Sequence, residues 1–190
     1  MTRCGTARAC LAAATTALAT SAWGQGVTFA ELDGLVIEAN IVRDQIVRRE
    51  GSQFLTENDV RWKVVIGPGD AIENTMSQTS HTARGEHKSR PRTVSYVLGK
   101  EHQEWSQGGG TAAWEFNAGT LTYMRTFSEG AYRADVAFSR GPAGLTCSIT
   151  DTFGREGGHG ALVMQSVIDG SEVTILSSRL VSSNCRVAKP

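Results

Sequence analysis

The chain has 190 residues, 40% hydrophobic and 20% charged, with 19 basic residues balanced by 19 acidic ones. That balance lacks the positive excess of a general nucleic-acid binder or a polybasic membrane binder, and the length suits one domain with a sizeable core. Outside the leader, no stretch approaches the roughly 18 uncharged apolar residues that a membrane-spanning helix requires.

Residues 1–24 carry Arg3 and Arg8 and no acid, then the apolar run Leu11 to Ala22, then Ala22-Trp23-Gly24. This is the pattern of a secretory signal peptide cut after Gly24. Cys4 and Cys10 precede the apolar run, which is the wrong side of it for lipid attachment. Cleavage leaves 17 basic against 19 acidic residues, a net charge of −2, on a single domain spanning 25–190. Export implies a periplasmic or secreted protein. Only Cys147 and Cys185 survive in it, and in an oxidising compartment two cysteines most simply form a disulfide; two separate buried thiols are the alternative.

Leu35, Ile37, Ala39 and Ile41 alternate with their neighbours and predict a long first strand, with a helix over 35–49 as the competing reading. The phase slips where Ile46 and Val47 follow Arg43 and Asp44, so a bulge or bend is expected near 42–44. Glu50-Gly51-Ser52 turns the chain into a second strand carrying Val60, Trp62, Val64 and Ile66. Gly67-Pro68-Gly69-Asp70 is the next turn, followed by a weaker strand with Ile72, Asn74 and Met76. Residues 77–92 show no apolar period and read as a long polar connection bearing Arg84, Lys88, Arg90 and Arg92. Val94, Tyr96 and Leu98 resume strand alternation, and Gly108-Gly109-Gly110 reads as a flexible link. From Trp114 to Phe138 the chain alternates almost without interruption and reverses at 117–120 and 128–130, an antiparallel meander. Gly141 to Gly144 turns into a strand through Leu145, Cys147 and Ile149. After the glycine-rich 154–160, residues 161–168 and 173–181 flank the hairpin signal Asp169-Gly170-Ser171-Glu172. About nine or ten strands at regular spacing predict an all-β domain, a single antiparallel β-barrel or β-sandwich.

The phrases LDGLVIEA (32–39), RREG (48–51), VIGPGD (65–70), SHTARG (80–85), GTLTYMRT (119–126) and GLTC (144–147) together resemble a group of exported conserved hypothetical proteins of soil alphaproteobacteria, over most of the mature chain. The resemblance implies export and an all-β fold and carries no catalytic residue across.

The chain has no G-x-S-x-G, H-E-x-x-H, G-x-x-x-x-G-K or C-x-x-C pattern. Glu101 and Glu104 beside His102 would serve acid–base chemistry only if buried; a solvated turn is the plainer reading. Gly67-Pro68-Gly69-Asp70 followed by Ser80-His81-Thr82 is similar to the stretch of cupredoxins that supplies the upstream copper histidine. That resemblance implies His81, Cys147, His159 and Met164 as copper ligands, a soft thiolate–imidazole–thioether set. Eleven residues separate Cys147 from His159, longer than the pattern, and a disulfide at Cys147 would remove the thiolate. Trp62, Tyr96, Trp114 and Tyr123 would line a ligand cavity or simply fill the core, with Arg84, Lys88, Arg90 and Arg92 attracting a small or anionic ligand at its mouth. The sequence therefore points to a non-catalytic binding or interaction module that uses no cofactor, with the copper protein and a hydrolytic enzyme without a recognised motif as alternatives.

Overall fold

The computed structural model describes residues 26–104, 110–127, 130–154, 162–165 and 171–188; the leader assigned to 1–24 lies outside them. The protein is all-β, two antiparallel sheets packed face to face as a sandwich. Twelve strands are present among the described residues: β1 (Val36–Arg49), β2 (Ser52–Ile66), β3 (Ala71–Thr82), β4 (Gly85–Lys88), β5 (Arg92–Val97), β6 (His102–Glu104), β7 (Gly110–Asn117), β8 (Thr120–Phe127), β9 (Gly130–Gly141), β10 (Gly144–Gly154), β11 (Leu162–Gln165) and β12 (Glu172–Ala188). The larger sheet runs β11-β12-β1-β2-β3-β4, with β5 also paired to β3; the smaller runs β10-β9-β8-β7-β6.

The turns expected at 50–52, 67–70, 117–120 and 141–144 form where the sequence places them, and those expected at 128–130 and 169–172 include residues outside those described. Glu50 and Gly51 both take positive φ, as do Ala118 and Gly119, giving two-residue hairpins whose backbone twist matches the strands they join. Two short strands are additional to the expected set. The connection expected over 77–92 is instead a continuation of β3, a two-residue reversal at Ala83-Arg84, and β4 pairing back on β3 from Thr82↔Gly85 to Thr79↔Lys88. Edge pairing is a backbone interaction and leaves no apolar period in a strand whose four residues are all exposed. The other is β6, which pairs β7. The flexible role expected of Gly108-Gly109-Gly110 gives way at Gly110 to close packing, since a Cβ there would stand 2.2 Å from the Thr126 carbonyl oxygen. Gly108 and Gly109 lie outside the described residues.

The irregularity expected near 42–44 is present in the β1–β12 ladder, but the extra residues belong to the partner strand. The register shifts between Val42 and Arg43 and again between Ile46 and Val47, leaving Val181 and Leu176 of β12 unmatched. Strand β1 itself never slips. Ile37, Ala39, Ile41, Arg43, Gln45 and Val47 all turn inward, and Ile46, paired with Leu55, faces out.

Ile37, Ile41, Val64 and Ile66 of the larger sheet meet Trp114, Leu121, Ala134 and Val136 of the smaller one in the apolar core. A short 3-10 turn, Phe29–Leu32, closes one end. Leu32 is fully buried and Phe29 packs on Phe116 at 5.5 Å between ring centroids. The seam between the sheets is fastened by the disulfide Cys147–Cys185, which joins β10 to β12, and by Ser183 Oγ donating to the Ile149 carbonyl at 2.8 Å.

Two outcomes are expected. Replacing both Cys147 and Cys185 by alanine removes a crosslink with a sequence separation of 38. It lowers unfolding free energy in urea by up to about 4 kcal/mol on the chain-entropy model, and an unchanged midpoint contradicts the crosslink. The second concerns Glu31, whose carboxylate accepts the Thr28 backbone N–H, pairs with Arg140 and accepts the Thr28 hydroxyl, which together pull its pKa from 4.5 down to about 2. A depressed carboxylate stabilises the fold above its unfolded pKa and loses that contribution as pH falls through the folded value. Thermal melts of Glu31→Gln should therefore be less pH-dependent between pH 4.5 and 2 than those of the parent; parallel curves would rule this out.

Candidate functional site

Strands β2, β5, β7 and β8 bring Trp62, Tyr96, Trp114 and Tyr123 together. Trp62 lies 6.0 Å from Trp114 and 5.4 Å from Tyr123, Trp114 lies 5.0 Å from Tyr123, and Tyr96 lies 6.5 Å from Trp114, all as ring centroids. All four side chains are buried. They touch one another, mostly edge-to-face, the geometry that aromatic quadrupoles favour. Tyr132 extends the layer against Trp62 at 6.0 Å, and Phe153 extends it against Tyr132 at 4.6 Å. Neither was singled out from the sequence, because period two makes a residue inward-facing without saying what it meets across the sheets.

Beyond this layer the interior becomes polar. Arg43 of β1, 3% exposed, donates through Nε to Asp151 Oδ2 at 2.7 Å, and its Nη2 reaches both Asp151 Oδ1 and the Asp151 carbonyl. Its guanidinium carbon lies 4.7 Å from the centroid of the Phe153 ring. From there a row of side chains crosses the larger sheet. Arg43 Nη1 and Gln45 Nε2 both donate to Ser178 Oγ, Asn58 Nδ2 donates to Gln45 Oε1 at 2.7 Å, and Gln78 Nε2 and Ser80 Oγ donate to Asn58 Oδ1. The amides of Gln78, Asn58 and Gln45 donate in one direction, so each bond polarises the next. Burial in this region, then the charge of Asp151, hold the Tyr132 phenol protonated, its pKa well above the ordinary value. Composition alone could not reveal this row: Gln45, Asn58, Gln78 and Ser80 are the residues that a surface strand also carries.

The basic residues lie elsewhere. Arg84 occupies the β3–β4 turn, Lys88 ends β4 and Arg90 follows it, all exposed, while Arg92 opens β5 and is half-buried. Lys88 Nζ pairs with Glu86 at 2.8 Å, and His81 faces the same carboxylate at 3.6 Å. Lys88 and His81 lower the Glu86 pKa, Lys88 having the larger effect. The hairpin that bears Arg84 and Lys88 is exposed and the aromatic layer is buried, while Arg92 falls on the same face of β5 as Tyr96.

Of the copper ligands that the resemblance implied, the side chains of Cys147 and His81 are among those described. Cys147 sulfur is bonded to Cys185 and offers no thiolate, and His81 stands on the exposed β3–β4 hairpin. His159 and the side chain of Met164 lie outside the described residues. No three His, Cys, Asp or Glu side chains are grouped to hold a metal ion among the described residues. His102 packs its ring on Tyr96 at 5.1 Å while Glu101 is exposed; the Glu104 side chain lies outside the described residues.

No protein-family model, curated protein or solved structure matches the chain.

The Arg43–Asp151 pair gives the sharpest expectation for this region. Arg43→Met strands a buried carboxylate and should destabilise by about 3–5 kcal/mol in chemical denaturation. Adding Asp151→Leu should recover most of the loss, because the penalty belongs to the unpaired charge; no recovery would mean that the pair is only an incidental contact.

Proposed function

We propose that this chain is an exported, non-catalytic binding module that takes an anionic partner on the hairpin formed by β3 and β4. The observation that supports this reading is the contrast between its two sets of charges. Arg43 and Asp151 are spent on one another inside the sandwich. Arg84, Lys88 and Arg90, by contrast, stand exposed at the rim of the larger sheet, on and beside a four-residue strand paired along one side to β3, Lys88 in a solvent-exposed pair with Glu86. Exposed cations grouped on a short rigid hairpin attract a negatively charged ligand at little ordering cost, because the backbone is already fixed. The disulfide supports an oxidising compartment, the periplasm or the cell exterior. No helix among the described residues is long and apolar enough to cross a membrane.

The test uses a polyglutamate chain as the anionic probe, with binding measured by fluorescence anisotropy at low and physiological salt. The triple variant Arg84→Ala/Lys88→Ala/Arg90→Ala should weaken binding about tenfold, as expected for three exposed charge contacts of a few tenths of a kcal/mol each, and the parent's affinity should fall with salt. Equal affinity of parent and variant, or no binding by the parent, defeats this reading.

A further inference from the structure

Three polar atoms of the aromatic layer have no hydrogen-bond partner: the indole nitrogens Nε1 of Trp62 and Trp114, and the side-chain carbonyl Oδ1 of Asn74. The residues are 3%, 0% and 5% exposed. They are also neighbours. Asn74 on β3 is paired with Val64 on β2 and Val94 on β5, two residues along from Trp62 and Tyr96 respectively, on the same inward face. Trp62 and Tyr96 both pack against Trp114, which descends from the opposite sheet. Two donors and one acceptor therefore sit in a single layer.

A buried donor or acceptor left unmatched forfeits the hydrogen bond that it makes with water in the unfolded chain, and native interiors hold few of them. Three in one layer is a coincidence that one bound molecule removes. Its chemistry follows from the atoms it must satisfy. It accepts from both indole N–H groups on the two lone pairs of one oxygen and donates a hydrogen bond to the Asn74 carbonyl, so it carries both functions, as a hydroxyl or a primary amide does. It is neutral as well. Ile72, Met76, Val64 and Val94 around Asn74 are apolar, and Arg92, opposite Met76 on the same face, is half-buried and already engaged in an interaction of its own, so no free charge is left to balance an ion.

We infer that Trp62, Trp114 and Asn74 form an internal binding site for a small neutral molecule with one hydrogen-bond donor and one acceptor, a water or a small hydroxylic or amide compound. The site does not depend on the basic hairpin, and the two readings stand or fall separately.

The experiment takes the disulfide-bonded wild-type protein, labelled with 15N, and records exchange-filtered cross-relaxation from the indole N–H protons, alongside native mass spectrometry of the protein as purified. At least one of the Trp62 and Trp114 indole protons should show cross-relaxation to a long-lived bound species. Extra retained mass then identifies an organic occupant, and its absence identifies water. Indole protons with no cross-relaxation to anything but protein overturn the inference. Asn74→Leu supplies a second readout: with an occupant bound to the carbonyl its melting temperature falls and the cross-peak is lost or weakened. A raised melting temperature means that Asn74 was an unmatched carbonyl, and that result also overturns the site. The wild-type spectrum decides the matter even if the variant fails to fold.

Discussion

The closure of Arg43 on Asp151 is the constraint around which the sandwich is arranged. The long strands β1, β2 and β3 have an inner face that changes character partway along: Ile37, Ile41 and Val64 at one end, and Arg43, Gln45 and Asn58 at the other. Apolar burial alone accounts for the first half. In the second half the inward charges must find partners, because an unpaired guanidinium or carboxylate in this interior costs more than any nearby contact returns. Asp151 comes from the opposite sheet, so the pair fixes how the two sheets lie on one another as well as which way β1 faces. A slip of one residue would turn Arg43 to solvent and bring Ile46 and Asp44 inward, leaving Asp151 buried alone.

Strand β12 absorbs the consequences. Its two bulges, at Leu176 and Val181, let β1 keep an unbroken alternation while β12 gains twist along its length. Cys185, past the second bulge, meets Cys147 on β10, and Ser178, between the bulges, accepts from Arg43 and Gln45. One strand thereby holds the polar row at one point and the covalent seam at another. The aromatic layer from Tyr96 to Phe153 lies between the apolar and polar halves, a sensible place for side chains with large apolar faces and single polar tips.

The rim of the larger sheet has different requirements. An edge strand offers unpaired backbone groups, and proteins blunt such edges with short strands and charged side chains. Strand β4 has both features, with Glu86, His87 and Lys88 in four residues. The charges that discourage pairing with another copy of the chain are also those on which the proposed anion binding rests. The pair Ile46 and Leu55 is exposed on the outer face next to the β1–β2 turn, flanked along the strands by Asp44 and Glu57 on one side and by Arg48 and Gln53 on the other.

Much of this was legible in the residues. Alternation of apolar side chains predicted the meander of β7, β8 and β9, and glycine-bearing turns predicted the reversals at 50–51 and 118–119, because both are local consequences of backbone geometry. Two cysteines outside the expected leader predicted the crosslink that the structure contains. The short strands β4 and β6 were not legible, since a strand held by edge hydrogen bonds needs no pattern of side chains. Nor was the burial of Arg43, Gln45, Asn58 and Ser80, or the mutual packing that makes Trp62, Tyr96, Trp114 and Tyr123 an interior and not a rim. Sequence by itself determined which side chains share a face, because that depends on neighbours two residues apart. Only the tertiary structure decided what each face meets, because a charge is stable indoors solely when a partner more than a hundred residues away, as Asp151 is from Arg43, arrives at hydrogen-bonding distance.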